Sequence, residues 1–399
     1  MSTRTRQRVS SVCLLMLACG ARSSLPIDEA EGGAGQAPGG GGLGGGGFGG
    51  EGGQGGGVGG VEQLALGAGH SCLRAFDGDV YCWGRNSKGQ LGTGDTADSL
   101  SPIKAALPEP ATFLAAGSFH TCALLTSGSV YCWGASEFGQ ALPQLGAQTS
   151  IPIPAAVEGL SGEVTALALG EGHSCAVTES ADGSSVRCWG VGFTPPISEG
   201  IFDGGVAAAA GAFFTCSLDQ AGAVSCIGEN GQGQCGVAAP ATIESPVQVA
   251  LPFTAVSVRA GRGNHACATS SLGETACWGD NDSGQLGDGS ISEFSLPLLV
   301  DGSFGQVAPG FVHSCGLREG LVSCWGSNSS GQLGTAGPAS PFPVTISGLS
   351  GVVAIGTGTL HSCAYVSPTE LYCWGGNDFG QLGIGDTNAT NVPTLVKLP

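Results

Sequence analysis

One phrase occurs seven times in this chain of 399 residues: an Ala/Gly-rich lead-in, usually H-[STA]-C, and a short gap ending in C-W-G. Its fullest copy runs Ala68-Gly69-His70-Ser71-Cys72, then Val80-Tyr81-Cys82-Trp83-Gly84, then Gly89-Gln90-Leu91-Gly92. The histidines stand at 70, 120, 173, 265, 313 and 361, and Phe214 occupies the missing place, so the steps are 50, 53, 41, 51, 48 and 48 residues. All six histidines, all six tryptophans and fourteen of the seventeen cysteines belong to the phrase. A period of about 48 residues over 62–399 is that of a β-propeller blade. Length alone would suggest two or three domains, and the repeat replaces that estimate with one closed array.

Each unit reads as short strands separated by turn chemistry. In the fifth copy Val256-Ser257-Val258 alternates and Gly261–Gly263 breaks the run. His265–Thr269 and Glu274–Trp278 then flank a turn at Gly273, followed by the polar loop Asn281–Gly289. Short strands, Gly/Asp turns and a recurring W-G mark an all-β propeller. The phrase resembles the repeat of the regulator-of-chromosome-condensation family, whose units end in G-x-N-x-x-G-Q-L-G. Intact tails stand at Gly84–Gly92, Gly279–Gly287, Gly326–Gly334 and Gly375–Gly383. The second tail is interrupted (Gly139-Gln140-Ala141-Leu142-Pro143-Gln144-Leu145-Gly146), the third is absent after Trp189-Gly190, and the fourth reads Gly233-Gln234-Cys235-Gly236. The resemblance implies a seven-bladed propeller over 62–399. Closure is expected from Val392–Leu398 pairing beside Val61–Leu66, with both ends of the chain in one blade.

Each copy carries two cysteines: Cys72 and Cys82, Cys122 and Cys132, Cys175 and Cys188, Cys216 and Cys226, Cys267 and Cys277, Cys315 and Cys324, Cys363 and Cys373. The resemblance does not require them. Facing residues on antiparallel strands have Cα atoms about 4.5–5.5 Å apart, near the range a disulfide accepts, so seven hairpin bridges are expected. The competing reading is a zinc site, because His-x-Cys followed by Cys offers three ligands. The fourth copy argues against it: Phe214 and Ile227 replace the histidine and the tryptophan, while Cys216 and Cys226 remain. No metal and no cofactor is expected. Losing His and Trp together suggests that they form one structural unit, each histidine bonding backbone near the Trp-Gly turn. The odd cysteine, Cys235, is read as a small buried apolar residue, against a reactive thiol or an intermolecular bridge.

The N-terminus adds a compartment. Arg4, Arg6 and Arg8 precede the apolar run Val12–Leu17, too short to span a bilayer. Met16-Leu17-Ala18-Cys19 resembles a bacterial lipobox, which implies a signal peptide over 1–18 and a lipid on Cys19; a plain secretory signal cut near residue 22 is the other reading. Residues 19–61 form a glycine-rich tether, with 20 glycines among residues 32–60 and an rms reach of about 30 Å. An exported monomer, lipid-anchored in the cell envelope at the outer membrane or cell surface, follows. The net charge of −18, or −21 once the three signal arginines are gone, repels phosphate backbones and excludes nucleic acid.

No G-x-S-x-G, H-E-x-x-H or G-x-x-x-x-G-K-[ST] occurs. The segment 280–284 has a calcium-loop look without the closing glutamate and reads as a surface turn. Binding propellers specialise through their loops, so the irregular segments Glu137–Pro154, Val191–Phe202 and Glu229–Pro240 are the candidate interaction surface. Its rim residues are Phe193, Pro195, Pro196 and Phe202. The expectation is a non-enzymatic binding or scaffold propeller for an unknown protein or surface ligand. Guanine-nucleotide exchange, implied by the resemblance alone, and inhibition of an extracytoplasmic enzyme are the alternatives, and a propeller lyase comes last.

Overall fold

The computed structural model of this chain describes residues 60–398 apart from 147, 194–196, 199 and 367–368; the expected signal segment, Cys19 and nearly all of the tether lie outside them. Each copy of the phrase folds into one four-stranded antiparallel sheet. Blades 1 to 7 are residues 61–104, 111–156, 163–203, 205–248, 255–303, 306–345 and 352–395. Within a blade the strands follow chain order from an inner strand, such as Val61–Leu66, to an outer one, such as Ser99–Lys104. The inner strands touch in a cycle that ends with Val352–Thr357 of blade 7 against Val61–Leu66 of blade 1. The ring is therefore closed, and its core lies between blades. Leu91 of blade 1, for instance, is buried with Leu114, Leu125 and Trp133 of blade 2. Among the described residues no helix is long and apolar enough to cross a membrane.

Closure differs from the expectation. The last strand, Thr390–Leu395, is the outer strand of blade 7 and pairs with Glu370–Gly375. Val61–Leu66 is the inner strand of blade 1 and pairs with His70–Ala75. The two ends thus sit in different blades, because the phrase opens on an inner strand and its tail precedes an outer one. A periodic pattern gives the length of the unit but not where the fold cuts it. Side chains seal the seam instead: Ser71 Oγ lies 2.9 Å from His361 Nε2, and Trp83 Nε1 donates to the Gln381 carbonyl at 2.9 Å.

All seven expected disulfides are formed, each joining directly opposed residues with Cα atoms 4.0–4.1 Å apart. The one-residue-shorter hairpin between Cys315 and Cys324 is closed by Glu319 and Gly320, both at positive φ (51° and 78°), the backbone of a tight two-residue turn. Every bridge lies within its own blade, so the bridges staple hairpins and do not tie blades together. Cys235 is free and buried, and burial pushes its thiol up to about 12.

Candidate functional site

The histidines form a ring of contacts between blades. Each imidazole Nε2 meets the hydroxyl that follows the histidine position in the next blade, at 2.8–3.0 Å: His70 with Thr121, His120 with Ser174, His173 with Thr215, His265 with Ser314, His313 with Ser362 and His361 with Ser71. Five of those hydroxyls donate onward to the glutamine carbonyl of the preceding blade's tail, as Ser362 does to Gln332 at 3.0 Å. A hydroxyl that donates its one proton must accept from the imidazole, which assigns those rings as Nε2–H tautomers. The same glutamine carbonyl accepts the indole N–H of the following blade, as Gln332 does from Trp374 at 2.9 Å. The partner of each histidine is therefore a side-chain hydroxyl and not backbone near the Trp-Gly turn, as the sequence had suggested.

Nor do His and Trp form one unit within a copy. Phe214 replaces the histidine of blade 4, and its counterpart in blade 5 is Ala266, which has no hydroxyl to meet. Both are buried in one apolar cluster with Trp278. Ile227 replaces the tryptophan of blade 4 because blade 3 lacks the tail whose carbonyl an indole would need. The two losses arise at two different junctions.

Burial depresses the imidazoles far below their ordinary 6.5: to about 3 for His120, His265, His313 and His361, and to about 4 for His173. His70 is also well below 6.5, through burial and then the Arg262 charge. Groups so held are neutral near pH 7, and all six are buried, with His173 at the edge of the cavity between blades 3 and 4. Among the described residues no three His, Cys, Asp or Glu side chains converge as a metal site.

Where the third tail is missing, the packing fails. At a regular junction the tail fills the space beside the next tryptophan; Leu91 is fully buried and Gly92 lies against the Trp133 indole. After Gly190 the chain instead turns back, and the outer strand of blade 3 is reduced to Phe202–Asp203, paired with Val186 and Ser185. A cavity of about 420 Å3 remains between blades 3 and 4. Its apolar wall includes Val191, Phe193, Phe213, Phe214 and Ile227, and Glu229 and Glu244 stand exposed at it. The Phe193 ring packs against His173 with centroids 5.6 Å apart. Thr215, lacking the glutamine carbonyl that its counterparts hold, lies on the cavity with its hydroxyl at His173 and, more loosely, at Cys175 Sγ (3.8 Å).

Of the four rim residues expected from sequence, Phe193 lines this cavity. Phe202 does not: it is 5% exposed and belongs to the core between blades 3 and 4, because it sits in the shortened outer strand. Pro195 and Pro196 lie outside the described residues. Val191 and Glu229 come from two of the three irregular segments, while Glu137–Pro154 does not reach the cavity. Phe213, Phe214 and Ile227 were missed as site residues, although the absent tail followed by an absent tryptophan was the signal for them.

Two models of the regulator of chromosome condensation (RCC1) repeat match the chain, one over residues 77–124, 127–177, 319–365 and 370–399 and the other over 61–90 and 112–140. The ultraviolet-B receptor UVR8 of Arabidopsis thaliana is 28% identical over 264 residues, covering 62% of this chain and 60% of the receptor. The human E3 ubiquitin-protein ligase HERC2 is 29% identical over 274 residues, 64% of this chain and 5% of the ligase. The chain thus spans less than two thirds of either relative. Among solved structures, human WBSCR16 superposes with a TM-score of 0.71 at 22% identity, covering 80% of this chain and 95% of that one. Prp20p of Saccharomyces cerevisiae, described with its binding to Gsp1p and histones, gives 0.69 at 23% identity, covering 80% and 86%.

Proposed function

This chain is a seven-bladed propeller that carries RCC1 repeats, and from that premise we propose that it is a non-enzymatic binding module that holds a protein partner at the junction of blades 3 and 4. The observation that carries this is the cavity of about 420 Å3 where one tail has been deleted from an otherwise repeating ring. A pocket with apolar walls and a few polar groups is the usual form of a binding site. Its chemistry selects the partner: an apolar side chain to fill the space among Phe193, Phe213 and Ile227, next to a lysine or arginine facing Glu229 and Glu244. The excess of acidic residues in the chain favours the same basic partner.

Several features support a non-catalytic role and an exported setting. The six histidines are consumed by the ring between blades, and seven disulfides suit an oxidising, extracellular environment. A lipid on Cys19 and a tether over residues 19–61 would hold the propeller at the cell envelope, at the outer membrane or cell surface. The likeness to Prp20p, at 23% identity, concerns the fold. Nucleotide exchange, and inhibition of an extracytoplasmic enzyme, therefore rest on resemblance alone.

The test places a photo-cross-linking residue at Gly192, exposed beside the cavity, and separately at Leu272, 82% exposed in blade 5. A discrete protein adduct from Gly192, absent from Leu272 and suppressed when Ile227→Trp narrows the cavity, is the expected result. Identical adduct patterns from the two positions would sink the proposal.

A further inference from the structure

The ring encloses a channel, and the lining at one end of it is cationic although the chain is acidic; the other end carries Glu171 and Asp378 beside Arg85 and Arg262. One end is a cavity of about 200 Å3 lined by residues from six of the seven inner strands or the turns next to them, among them Gln63, Leu114, Arg259, Arg262, Gln306 and Ile355. Its lining contains two arginines and no aspartate or glutamate. Arg262 also lines a separate cavity of about 290 Å3 toward the other end, and it is the only residue common to both, so its side chain divides the channel.

The position of Arg262 has a sequence cause. The lead-in of the other copies places a glycine three residues before the histidine position, as in Gly67 to His70, whereas copy five reads Gly261-Arg262-Gly263-Asn264-His265 and is one residue longer. The added residue extends across the channel. Arg262 donates through Nε (3.0 Å) and Nη2 to the Leu66 carbonyl of blade 1, and through Nη1 to the Leu169 carbonyl of blade 3 (3.3 Å). Its field reaches three blades, since the same charge helps depress His70, His120 and His361.

These contacts satisfy hydrogen bonds but not charge. Arg74, Lys88 and Lys104 have carboxylate partners in Glu62, Glu137 and Asp79, whereas neither Arg259 nor Arg262 forms an ion pair among the described residues. Burial lowers both arginines, Arg262 to about 10, without any carboxylate to offset it. Arg259 and Arg262 are both half-buried on the channel, and a charge held partly away from bulk water is ordinarily paired. Arg259 has one described hydrogen bond, Nη1 to the Val258 carbonyl at 2.9 Å, and a guanidinium carries five donor hydrogens. The two guanidinium groups therefore present donors without a carboxylate partner to a cavity of about 200 Å3.

We propose that the channel cavity bounded by Arg259 and Arg262 is a binding site for a small oxyanion, a phosphate or a short carboxylate, that neutralises the two guanidinium groups. This site is independent of the junction between blades 3 and 4, whose cavity shares no residue with it. Forked guanidinium donors match the geometry of carboxylate and phosphate.

The test titrates inorganic phosphate and, separately, malonate into the whole protein with its disulfides intact by calorimetry, with chloride holding ionic strength constant. Saturable one-to-one binding of either anion is expected, weakened about tenfold or more in Arg259→Gln, which removes one charge-assisted partner. Which anion binds more tightly identifies the oxyanion class. Arg262→Gln also removes the brace between blades 1 and 3, so Arg259→Gln and Arg259→Lys are the variants that decide. Arg259→Lys keeps the charge, loses the fork, and is expected to fall between the two. No saturable binding of either anion to the unaltered protein, or equal affinity in Arg259→Gln, overturns the proposal.

Discussion

The contact between His313 and Ser362 offers a quantitative test of the ring, because the protein already contains its apolar replacement. At the junction of blades 6 and 7, His313 Nε2–H meets Ser362 Oγ at 2.9 Å, and that hydroxyl donates to the Gln332 carbonyl at 3.0 Å, which also accepts from Trp374 at 2.9 Å. Ser362→Ala removes the acceptor and strands a fully buried imidazole donor, which costs about 1–3 kcal/mol. His313→Phe removes one neutral hydrogen bond, about 1 kcal/mol, but leaves Ser362 bonded to Gln332. A phenylalanine has a precedent at this position, since Phe214 packs over Gly211 where His313 packs over Gly310. The double variant recreates the Phe214/Ala266 junction and strands nothing. It should be more stable than the sum of the two losses by about 1–2 kcal/mol, in the range seen for contacting pairs. Denaturant unfolding of the four proteins with disulfides intact gives the coupling energy directly. Additivity within about 0.5 kcal/mol would refute the claim that the pair acts as a unit.

Acid should weaken the fold. The imidazoles titrate near 3–4 when folded and near 6.5 when unfolded, so between those values only the unfolded chain takes up the protons. Stability is then complete above pH 6.5 and falls as pH drops toward 4, by about 1.4 kcal/mol per pH unit for each histidine. Unfolding midpoints at pH 7.5, 6 and 5 should decline accordingly and less steeply in His313→Phe; a flat profile contradicts the buried neutral state. Alkylation with peptide mapping should modify Cys235 alone among residues 60–399, and only after denaturation, since it is buried and its thiol lies at about 12; label on any of the other fourteen counts against the bridges. Replacing both Cys72 and Cys82 with alanine should cost about 2–3 kcal/mol in the loop-entropy picture while the remaining six bridges form; loss of the other bridges would show that they are not independent.

Much of this architecture is legible in the repeat, and the errors share one physical origin. Blade number, strand order and the seven cysteine pairs follow from spacings inside a copy, where neighbours in sequence are neighbours in a hairpin. What failed involves contacts between copies. The hydroxyl that meets His70 is on Thr121, 51 residues away, and the carbonyl that meets Trp83 is on Gln381. Comparing Phe214 with Ile227 in the same copy suggested a single unit; comparing Phe214 with Ala266, and Ile227 with the absent third tail, would have shown two. Likewise the cavity follows from a deletion in one copy and a substitution in the next. Arg262 was visible as an insertion, but its reach to Leu66 and Leu169 depends on ring closure, which no local spacing encodes.

The hydrogen-bonded cycle also has a direction. Every histidine points to the next blade in the same sense round the ring, and the seam between blades 7 and 1 obeys the same rule as the others. The ends of the polypeptide are therefore not the weak point of the circle. Going round it, the tail is missing between blades 3 and 4, and the imidazole is missing between blades 4 and 5. Blade 4 is the one wedge held on both sides by incomplete bonding, about halfway round from the termini. If the ring opens without breaking the chain, this is the arc that should part first, which makes the molecule behave like a clasp whose catch lies opposite its hinge.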